Sequence, residues 1–316
     1  MNKILSLGNT CLDIVMRYVD DFPNWGSEVL FDQSEHRLGG QGANFAIAMA
    51  RLGQFTLIAS NVANDWLGKS LESELESVPL LYSNFLQKTD SESGFTVCVV
   101  RRDGERSFLT FLGHQLGYSL RKDAKNILRT LKAGDMIHVS GYFMLPQLSE
   151  ELPEFLKEVK SKGIRVSLDP GWDPAGFSEE SRRSIYSLLP FVDYFEPNES
   201  ELLALTGSPT IDLAIKTVTK HYGSVLVLKL GKRGHRIFQN GRVVGQGIGL
   251  KLRVLDTTGA GDAFDAGFIW GVIKNRPLEL CGRLGRAVAS VTASRIGKTI
   301  NRFPTLAEVS ALINNL

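Results

Sequence analysis

Three features of the 316-residue sequence predict an α/β fold built on a mostly parallel sheet. Strand-like and helical segments alternate regularly from Asp123 onward, a pattern that calls for a parallel sheet covered by helices. Val225 to Leu230 is continuously apolar, as a parallel strand buried on both faces must be. Glycine-rich turns at 39–42 and 259–261 stand immediately before helical stretches. Two segments, 15–38 and 93–111, break the alternation and read as one small β-sheet. The remaining residues, 1–14, 39–92 and 112–316, then form the α/β core.

Taken in order, Ile4 to Leu7 form a first buried strand, which Gly8 to Asp13 leave with polar groups. Val15 to Leu38 holds Asp20, Asp21, Pro23, Trp25 and Gly26 in a turn, then alternates through Val29, Phe31 and Gln33 as half-buried extended chain. Phe45 to Leu52 is an Ala-rich helix stopped by Gly53, followed by a strand at Phe55–Ala59 and a helix at Asp65–Glu76. Phe95–Val100 and Ser107–Phe111 are strands joined by a hairpin at Asp103-Gly104. Helices at 123–131, 149–162 and 178–189 alternate with strands Met136–Val139, Ile164–Leu168 and Val192–Phe195. Helices near 199–206 and 211–221 precede strand Val225–Leu230, and a hairpin turns at Asn240-Gly241. Leu252, Val254 and Leu255 supply the tail of a strand; a helix runs from about Ala263 to Ile273, and helices 278–295 and 305–313 close the chain.

The composition, 43% hydrophobic and 22% charged, is that of a soluble globular protein with ample core. A formal charge of +2 gives no electrostatic case for nucleic acid or an anionic membrane. Cys11, Cys98 and Cys281 are far apart and odd in number, which fits a reducing cytoplasm rather than a disulfide scaffold or zinc site. The N-terminal apolar run is too short for a signal peptide. His36, His114, His138, His221 and His235 show no metal-ligand spacing.

The chemistry concentrates at Asp256-Thr257-Thr258-Gly259-Ala260-Gly261-Asp262-Ala263-Phe264. A Gly-Ala-Gly turn that opens a helix presents unpaired backbone N–H groups able to hold an anion. Asp262 stands beside them to accept a proton, which is the minimum equipment for phosphoryl transfer to a hydroxyl. Gly39-Gly40-Gln41-Gly42-Ala43-Asn44 lets backbone approach a ligand closely, and Asn44 can both donate and accept. Asp13 follows the first strand, where ligands collect at strand carboxyl ends, and can accept two hydroxyls of a polyol. Asn198 and Glu201 share one side of a first helical turn; they can orient Mg²⁺ through its waters, and a capping box fits the same spacing. Lys229-Leu230-Gly231-Lys232-Arg233-Gly234 suits either a loop near nucleotide phosphates or a solvated basic turn. The P-loop, the protein-kinase signatures, the hydrolase elbow and the His-Glu-x-x-His motif are all absent.

With these motifs in this order over essentially all 316 residues, the chain resembles the ribokinase-like (PfkB) family of carbohydrate kinases. Gly39 to Asn44 matches the family's first signature, Asp256 to Phe264 its second, and Asn198 with Glu201 its Asn-x-x-Glu motif. The resemblance implies a central sheet flanked by helices, with a small β-sheet lid over a sugar. It makes Asp262 the general base and Gly259, Ala260 and Gly261 the anion hole. Asp13, Gly39, Gly40 and Asn44 become sugar contacts. Asn198 and Glu201 order Mg²⁺ on ATP through water, while Lys229, Gly231, Gly234 and Thr258 border the nucleotide. Asp256, Thr258, Arg295, Gly297 and Asn301 match, roughly, the ligands of a K⁺ ion bound by several relatives. In many relatives the lid also mediates dimerisation.

The implied activity is ATP-dependent phosphorylation of a hydroxymethyl group on a small sugar or sugar derivative. A nucleoside kinase, with Trp25, Phe31 and Phe95 forming an apolar pocket for the base, and a catalytically silent binding protein are the alternatives. Cys11 stands where ribokinases typically carry Asn, and a thiol is a poor polar partner, which weakens the case for ribose itself. Tyr142 and Phe143 are expected near the sugar pocket. Asp169-Pro170-Gly171-Trp172-Asp173 is not the form associated with fructokinases or 2-keto-3-deoxygluconate kinases; the 102–106 turn either brings Arg101 or Arg102 over an acidic or phosphorylated sugar or, the favoured reading, leaves them a solvated doublet.

Overall fold

In the computed structural model, which describes residues 2–102 and 106–314, β1 (Ile4–Leu7) lies inside a nine-stranded sheet. β2 (Cys11–Val19) and β3 (Gln33–Gly39) leave that sheet for a second, smaller one, and α1 (Gln41–Arg51) returns the chain to the core. β4 (Thr56–Ala63), α2 (Trp66–Glu76) and β5 (Leu81–Thr89) extend the large sheet on one side of β1. β6 (Phe95–Arg101) and β7 (Arg106–Phe111) complete the small sheet. The Asp103-Gly104 hairpin lies outside the described residues.

The regular half of the chain follows as α3 (Leu120–Thr130), β8 (Met136–Val139), α4 (Leu148–Ser161), β9 (Arg165–Leu168) and α5 (Glu179–Leu188). It continues through β10 (Tyr194–Phe195), α6 (Glu199–Thr206), α7 (Ile211–His221) and β11 (Val225–Lys229). The β12 (His235–Gln239) and β13 (Arg242–Gly247) hairpin precedes α8 (Ala260–Ile273), α9 (Leu278–Ala293), α10 (Thr299–Arg302) and α11 (Leu306–Asn314).

The large sheet runs β13-β12-β11-β10-β9-β8-β1-β4-β5, parallel throughout except for the antiparallel edge made by β12 and β13. Its strands are apolar on both sides because successive side chains point to opposite faces. Leu226 and Leu228 enter one core with Ile127, Leu152 and Leu156, while Val225 and Val227 enter the other with Phe45, Phe268 and Val288. The two cores lie under α3–α7 and under α1, α2, α8, α9 and α11 respectively. Among the described residues no helix is long and apolar enough to cross a membrane. All three cysteines are buried and unbridged.

The small sheet runs β3-β2-β6-β7. Its strand β2 begins at Cys11, so the departure from the core comes earlier than residue 15. Asp13 is therefore a strand residue, paired across the ladder with Arg37, rather than part of a loop. Alternation along β2 buries Cys11, Asp13, Val15 and Arg17 on one face, giving the small sheet a charged inner surface. His114 ties this sheet to the core: Gly94 N donates to its Nδ1 at 2.8 Å, and its Nε2 donates to Thr10 O at 2.9 Å.

One strand was not assigned from the sequence and one assigned strand is absent. Leu81–Thr89 is a strand, although only Leu81 and Phe85 along it are buried, too sparse a pattern to read. Leu252, Val254 and Leu255 belong to no strand and are all partly exposed; Leu255 N and Asp256 N donate instead to Ala293 O at the end of α9.

Candidate active site

The strand ends determine where the charged side chains meet. Asp169 follows β9, Glu196 and Asn198 follow β10, and Lys229 ends β11, so neighbouring parallel strands deliver them to one rim of the sheet. That rim is where open α/β sheets bind ligands. α8 begins opposite it.

Gly259 caps α8 with φ +75°, a left-handed conformation that an L side chain adopts only at a cost of about 1–2 kcal/mol. The Ala260 amide turns back to Thr257 O at 3.1 Å. The Gly261 and Asp262 N–H groups come before the first bond of the helical ladder, Ala263 N to Gly259 O at 2.9 Å, and so have no acceptor within the helix. Asp262 sits in this first turn and is 6% exposed. Burial, reinforced by the charge of Asp169, raises its carboxyl to about 7, against the hydrogen bond from Asn44 and the charge of Lys229. Half-ionised near neutrality, it is matched to taking a proton from a hydroxyl.

Asn44 lies in the first turn of α1 and donates through Nδ2 to Asp262 Oδ2 at 2.8 Å. The first glycine signature and the second are thus joined by a side-chain hydrogen bond. Gly39 is required by close approach: a Cβ there would meet the Asp13 carboxylate at 2.3 Å. Gly40 opens α1, and Asn9, which the sequence did not single out, accepts from Gln41 N at 3.0 Å and donates to Gln115 at 2.8 Å. Asp13 itself is raised to about 6 by burial, which Arg37 opposes. Cys11 Sγ is 3.7 Å from Asp13 Oδ1, so the thiol at this position faces the same carboxylate.

Asn198 and Glu201 form a complete capping box: Glu201 N donates to Asn198 Oδ1 at 2.9 Å and Asn198 N to Glu201 Oε2 at 2.8 Å. Glu201 is 6% exposed, and burial together with Asp169 raises it to about 7. Lys229 N bonds Pro197 O at 3.0 Å, which seats the Gly231–Gly234 turn beside this motif. Arg233 pairs with Glu199, so one of the turn's two cations is engaged at the surface.

The Lys229 ammonium itself is buried. It meets Asp169 Oδ2 at 2.9 Å and Asp265 at 2.9 and 3.1 Å, and lies 3.8 Å from where a Cβ on Gly261 would stand. Burial lowers its basicity, but Asp169 and Asp265 more than reverse this and hold it well above the ordinary lysine value. Burial likewise pushes Asp169 up, and Lys229 brings it below the usual carboxylate range; Asp265 stays well above that range, pushed there by burial. Glu196 lies further in, with Oε2 3.5 Å from His138 Nδ1, and burial raises it strongly. His138 stacks on Phe45 and is held neutral, burial lowering it to about 3. Asp169, Glu196 and Asp265 were missed by sequence reasoning; the one available signal for Asp265 was its position three residues after Asp262, on the same side of α8.

Several expected placements do not hold. Tyr142 is 3% exposed and packs in the main core with its hydroxyl on Ser184, while Phe143 stacks edge-on against Phe177. Both are core aromatics rather than pocket walls. Trp25 is fully exposed and Phe31 39% exposed, so they do not enclose a base. Arg102, by contrast, lies at the surface as a solvated doublet would place it, engaged by Asp20 at 2.7 Å and Asp32 at 2.9 Å.

The five residues expected to hold K⁺ do not fit an ion. Arg302 Nη2 donates to Asp256 O and Thr258 O, each at 2.9 Å, and its Nε donates to Arg295 O at 3.2 Å. The Asn301 side chain is exposed; its carbonyl oxygen accepts from Arg295 Nη1 at 3.5 Å. Among the described residues, none beyond its two chain neighbours comes within 4 Å of where a Cβ on Gly297 would stand. Thr258, expected near the nucleotide, faces the small sheet instead, with Oγ1 3.4 Å from Arg106 Nη1.

A family model for pfkB family carbohydrate kinases matches residues 1–306. A ribokinase of Lactococcus lactis is 27% identical over 323 aligned positions, covering 100% of this chain and 98% of the relative. An ATP-dependent 6-phosphofructokinase of Thermoanaerobacterium thermosaccharolyticum is 28% identical over 94% of this chain and 90% of its own length. Among solved structures, Arabidopsis thaliana ribokinase complexed with ribose and ATP superimposes with a TM-score of 0.82 at 26% identity, over 99% of this chain and 98% of that one. The resemblance read from the two glycine signatures extends to the whole chain and its topology: the protein belongs to the pfkB family of carbohydrate kinases and has their ribokinase-like fold.

Proposed function

We propose that this chain transfers the γ-phosphoryl group of ATP to a hydroxymethyl group of a small sugar or sugar derivative, with Asp262 as general base. The observation that carries this reading is the buried Asp262 carboxylate, raised to about 7, in the same first helical turn whose backbone N–H groups have no acceptor within the helix. Phosphoryl transfer through a loose transition state needs positioning and charge neutralisation more than covalent help, and this turn supplies both. The Gly259–Gly261 turn holds the transferring group, while Asp262 accepts the proton of the attacking hydroxyl. Asp13 and the backbone at Gly39 and Gly40 orient the acceptor from the small sheet, which acts as a lid that excludes water. Asn44 orients Asp262 and lies within reach of the same acceptor. Lys229 and the Gly231–Gly234 turn stand on the nucleotide side.

Mg²⁺ suits the donor set around Asn198 and Glu201, which is oxygen-rich and acidic and leaves one Glu201 oxygen outside the capping box. Asn198 and Glu201 would hold the ion through water, where it would supply positive charge against that developing on the transferring phosphoryl group. Glu201→Gln keeps the cap's geometry and removes the charge. The Mg²⁺ concentration for half-maximal rate should rise about 10–100-fold, with a melting temperature no lower than native and higher above pH 7, where the native carboxyl, raised to about 7, is ionised; an unaltered Mg²⁺ titration refutes the assignment.

The substrate class is tested by assaying ADP release on a panel of pentoses, hexoses, keto-deoxy acids, phosphorylated sugars and nucleosides. Turnover with a sugar supports the reading. Turnover with nucleosides alone replaces it by the nucleoside reading, and absence of any acceptor-dependent ADP release points to a silent binding protein.

The edge strand β7 exposes Phe108, Leu109 and Phe111, and an apolar edge of this kind is open to pairing with a second copy. A homodimer through the lid is the corresponding assembly. Phe108→Asp with Leu109→Asp should convert it to a monomer in sedimentation equilibrium, and a native chain that is already monomeric overturns the idea.

A further inference from the structure

Beneath the Gly259–Gly261 turn lies a buried cationic knot drawn from four separate parts of the chain. Arg302, at the end of α10, is 2% exposed. It binds the carbonyl oxygens of Asp256, Thr258 and Arg295, and its Nη2 is 3.5 Å from Asp256 Oδ2. Arg17 from β2 and Arg37 from β3 each reach the same Oδ2 at 2.8 Å, and Glu35 lies 3.2 Å from Arg17 and 3.6 Å from Arg37. Thr258 N donates to Asp256 Oδ1 at 2.9 Å. Every oxygen of Asp256 is thereby engaged, and Thr299 beside Arg302 bonds Leu38 O of β3.

We propose that the Arg302 guanidinium is the built-in cation of this site, ordering the 256–258 loop beneath the anion-binding turn in place of a monovalent metal ion, so that the chain works without K⁺. A K⁺ ion and a guanidinium carry the same unit charge, and both satisfy several carbonyl oxygens at once. The guanidinium does so with fixed N–H directions and is never lost by dissociation. Three of the five residues expected to hold K⁺, namely Asp256, Thr258 and Arg295, offer Arg302 their carbonyl oxygens. A second cation has no place here: three guanidinium groups already offset three carboxylates, Asp256, Glu35 and, across the ladder from Arg37, Asp13. A like charge added within a few ångströms of them at low dielectric is strongly repelled. Arg302 touches the loop's backbone rather than the reacting atoms, so it is a positioning residue. Arg17 and Arg37 add a second consequence: the loop under the turn is gripped from the lid as well as from α10.

This inference rests on the kinase reading, yet it can be tested apart from it. Thermal unfolding is followed in K⁺ and in tetramethylammonium for the native chain, Arg302→Ala and Arg302→Lys. The native chain should melt at the same temperature in both salts. Arg302→Ala should melt lower, with part of the loss recovered by K⁺ or by added guanidinium ion at concentrations too low to denature, because either now binds the vacated carbonyl cluster. Arg302→Lys should lie between the two. A K⁺-dependent rise in the melting temperature of the native chain overturns the proposal, as does an Arg302→Ala chain that folds but responds to neither cation. Should Arg302→Ala not fold, the response of Arg302→Lys and the native chain decides. In turnover, the native rate should be indifferent to K⁺, and Arg302→Ala should lose about 10–100-fold, as supporting residues of charged sites do, with rescue by K⁺ or guanidinium. If no acceptor is phosphorylated by any of the chains, the kinase reading fails while the unfolding arm still decides the role of Arg302.

Discussion

Asp262→Asn lowers kcat by about 10²–10⁴-fold, the usual contribution of a positioned general base, while ATP binds with native affinity. The asparagine keeps the size of the side chain and can still meet Asn44, which now bonds Asp262 Oδ2 at 2.8 Å, so the turn is not distorted. What is lost is the acceptor for the hydroxyl proton. The native pH profile should report the same group: kcat/KM rises tenfold per pH unit on the acid side and levels near the value of about 7 to which burial and Asp169 raise the carboxyl. Stability moves the other way. Because the folded value lies above the ordinary 3.8, the native state holds a proton that the unfolded chain gives up. The group's contribution is full below about 4 and declines as pH rises through about 7. Asp262→Asn should therefore melt higher than the native chain at pH above 7, a gain in stability at the cost of activity. Turnover that survives the substitution sinks the base assignment; a lower melting temperature at alkaline pH sinks the electrostatic account of it.

The parts of this site that were legible in the sequence are those written in contiguous residues. Gly259 and Asp262 follow from one nonapeptide, because the left-handed cap and the first-turn carboxylate are local geometry. Asn198 and Glu201 were legible as a pair for the same reason, and the capping box then proved to be formed. The β2 departure at Cys11 was misplaced because a strand leaving one sheet for another carries no turn signal there. Leu252, Val254 and Leu255 were misread because β-like alternation says nothing of whether a partner strand exists. The charged groups that meet across the fold were beyond reach. Arg17 and Arg37 contact Asp256 across 239 and 219 residues of sequence; Lys229 reaches Asp169 across 60. Their proximity depends on strand order, which no local spacing encodes. The expected K⁺ site shows the consequence: its residues align with the family pattern, and Arg302, next to Asn301 in the chain, occupies the carbonyls of three of them, two of these 44 and 46 residues away.

Lys229→Met should destabilise the fold by about 3–5 kcal/mol near neutral pH, the cost of removing one partner from a buried charge pair. Methionine fills the volume, so the loss is electrostatic rather than a cavity. The ammonium is the partner of Asp169 and Asp265, both buried at the rim. Without it Asp169 has burial left as its largest influence and no cation in contact, so its carboxyl rises above the ordinary range. The penalty then depends on pH with a definite sign. In the native chain Asp169 is held below its unfolded value, so its contribution is present at neutral pH and lost only as pH falls through that lowered value. In the variant the same carboxyl takes up a proton at higher pH and sheds its desolvation cost on acidification. The gap between native and variant melting temperatures should accordingly be widest at pH 7–9 and narrow towards pH 5, both windows being approximate. A gap that does not change with pH means the lysine acts by packing alone. Adding Asp169→Asn to Lys229→Met should recover part of the loss, since neither charge is then stranded; a coupling energy of about 0.5–3 kcal/mol is the range for residues in direct contact. The same substitution reaches the chemistry. Lys229 lowers the Asp262 carboxyl and Asp169 raises it, so removing the lysine moves the acid limb of kcat/KM to higher pH, and removing both groups moves it back. A lysine separated from Asp262 by two strands of sequence, β12 and β13, is thus measurable in the titration of Asp262 itself.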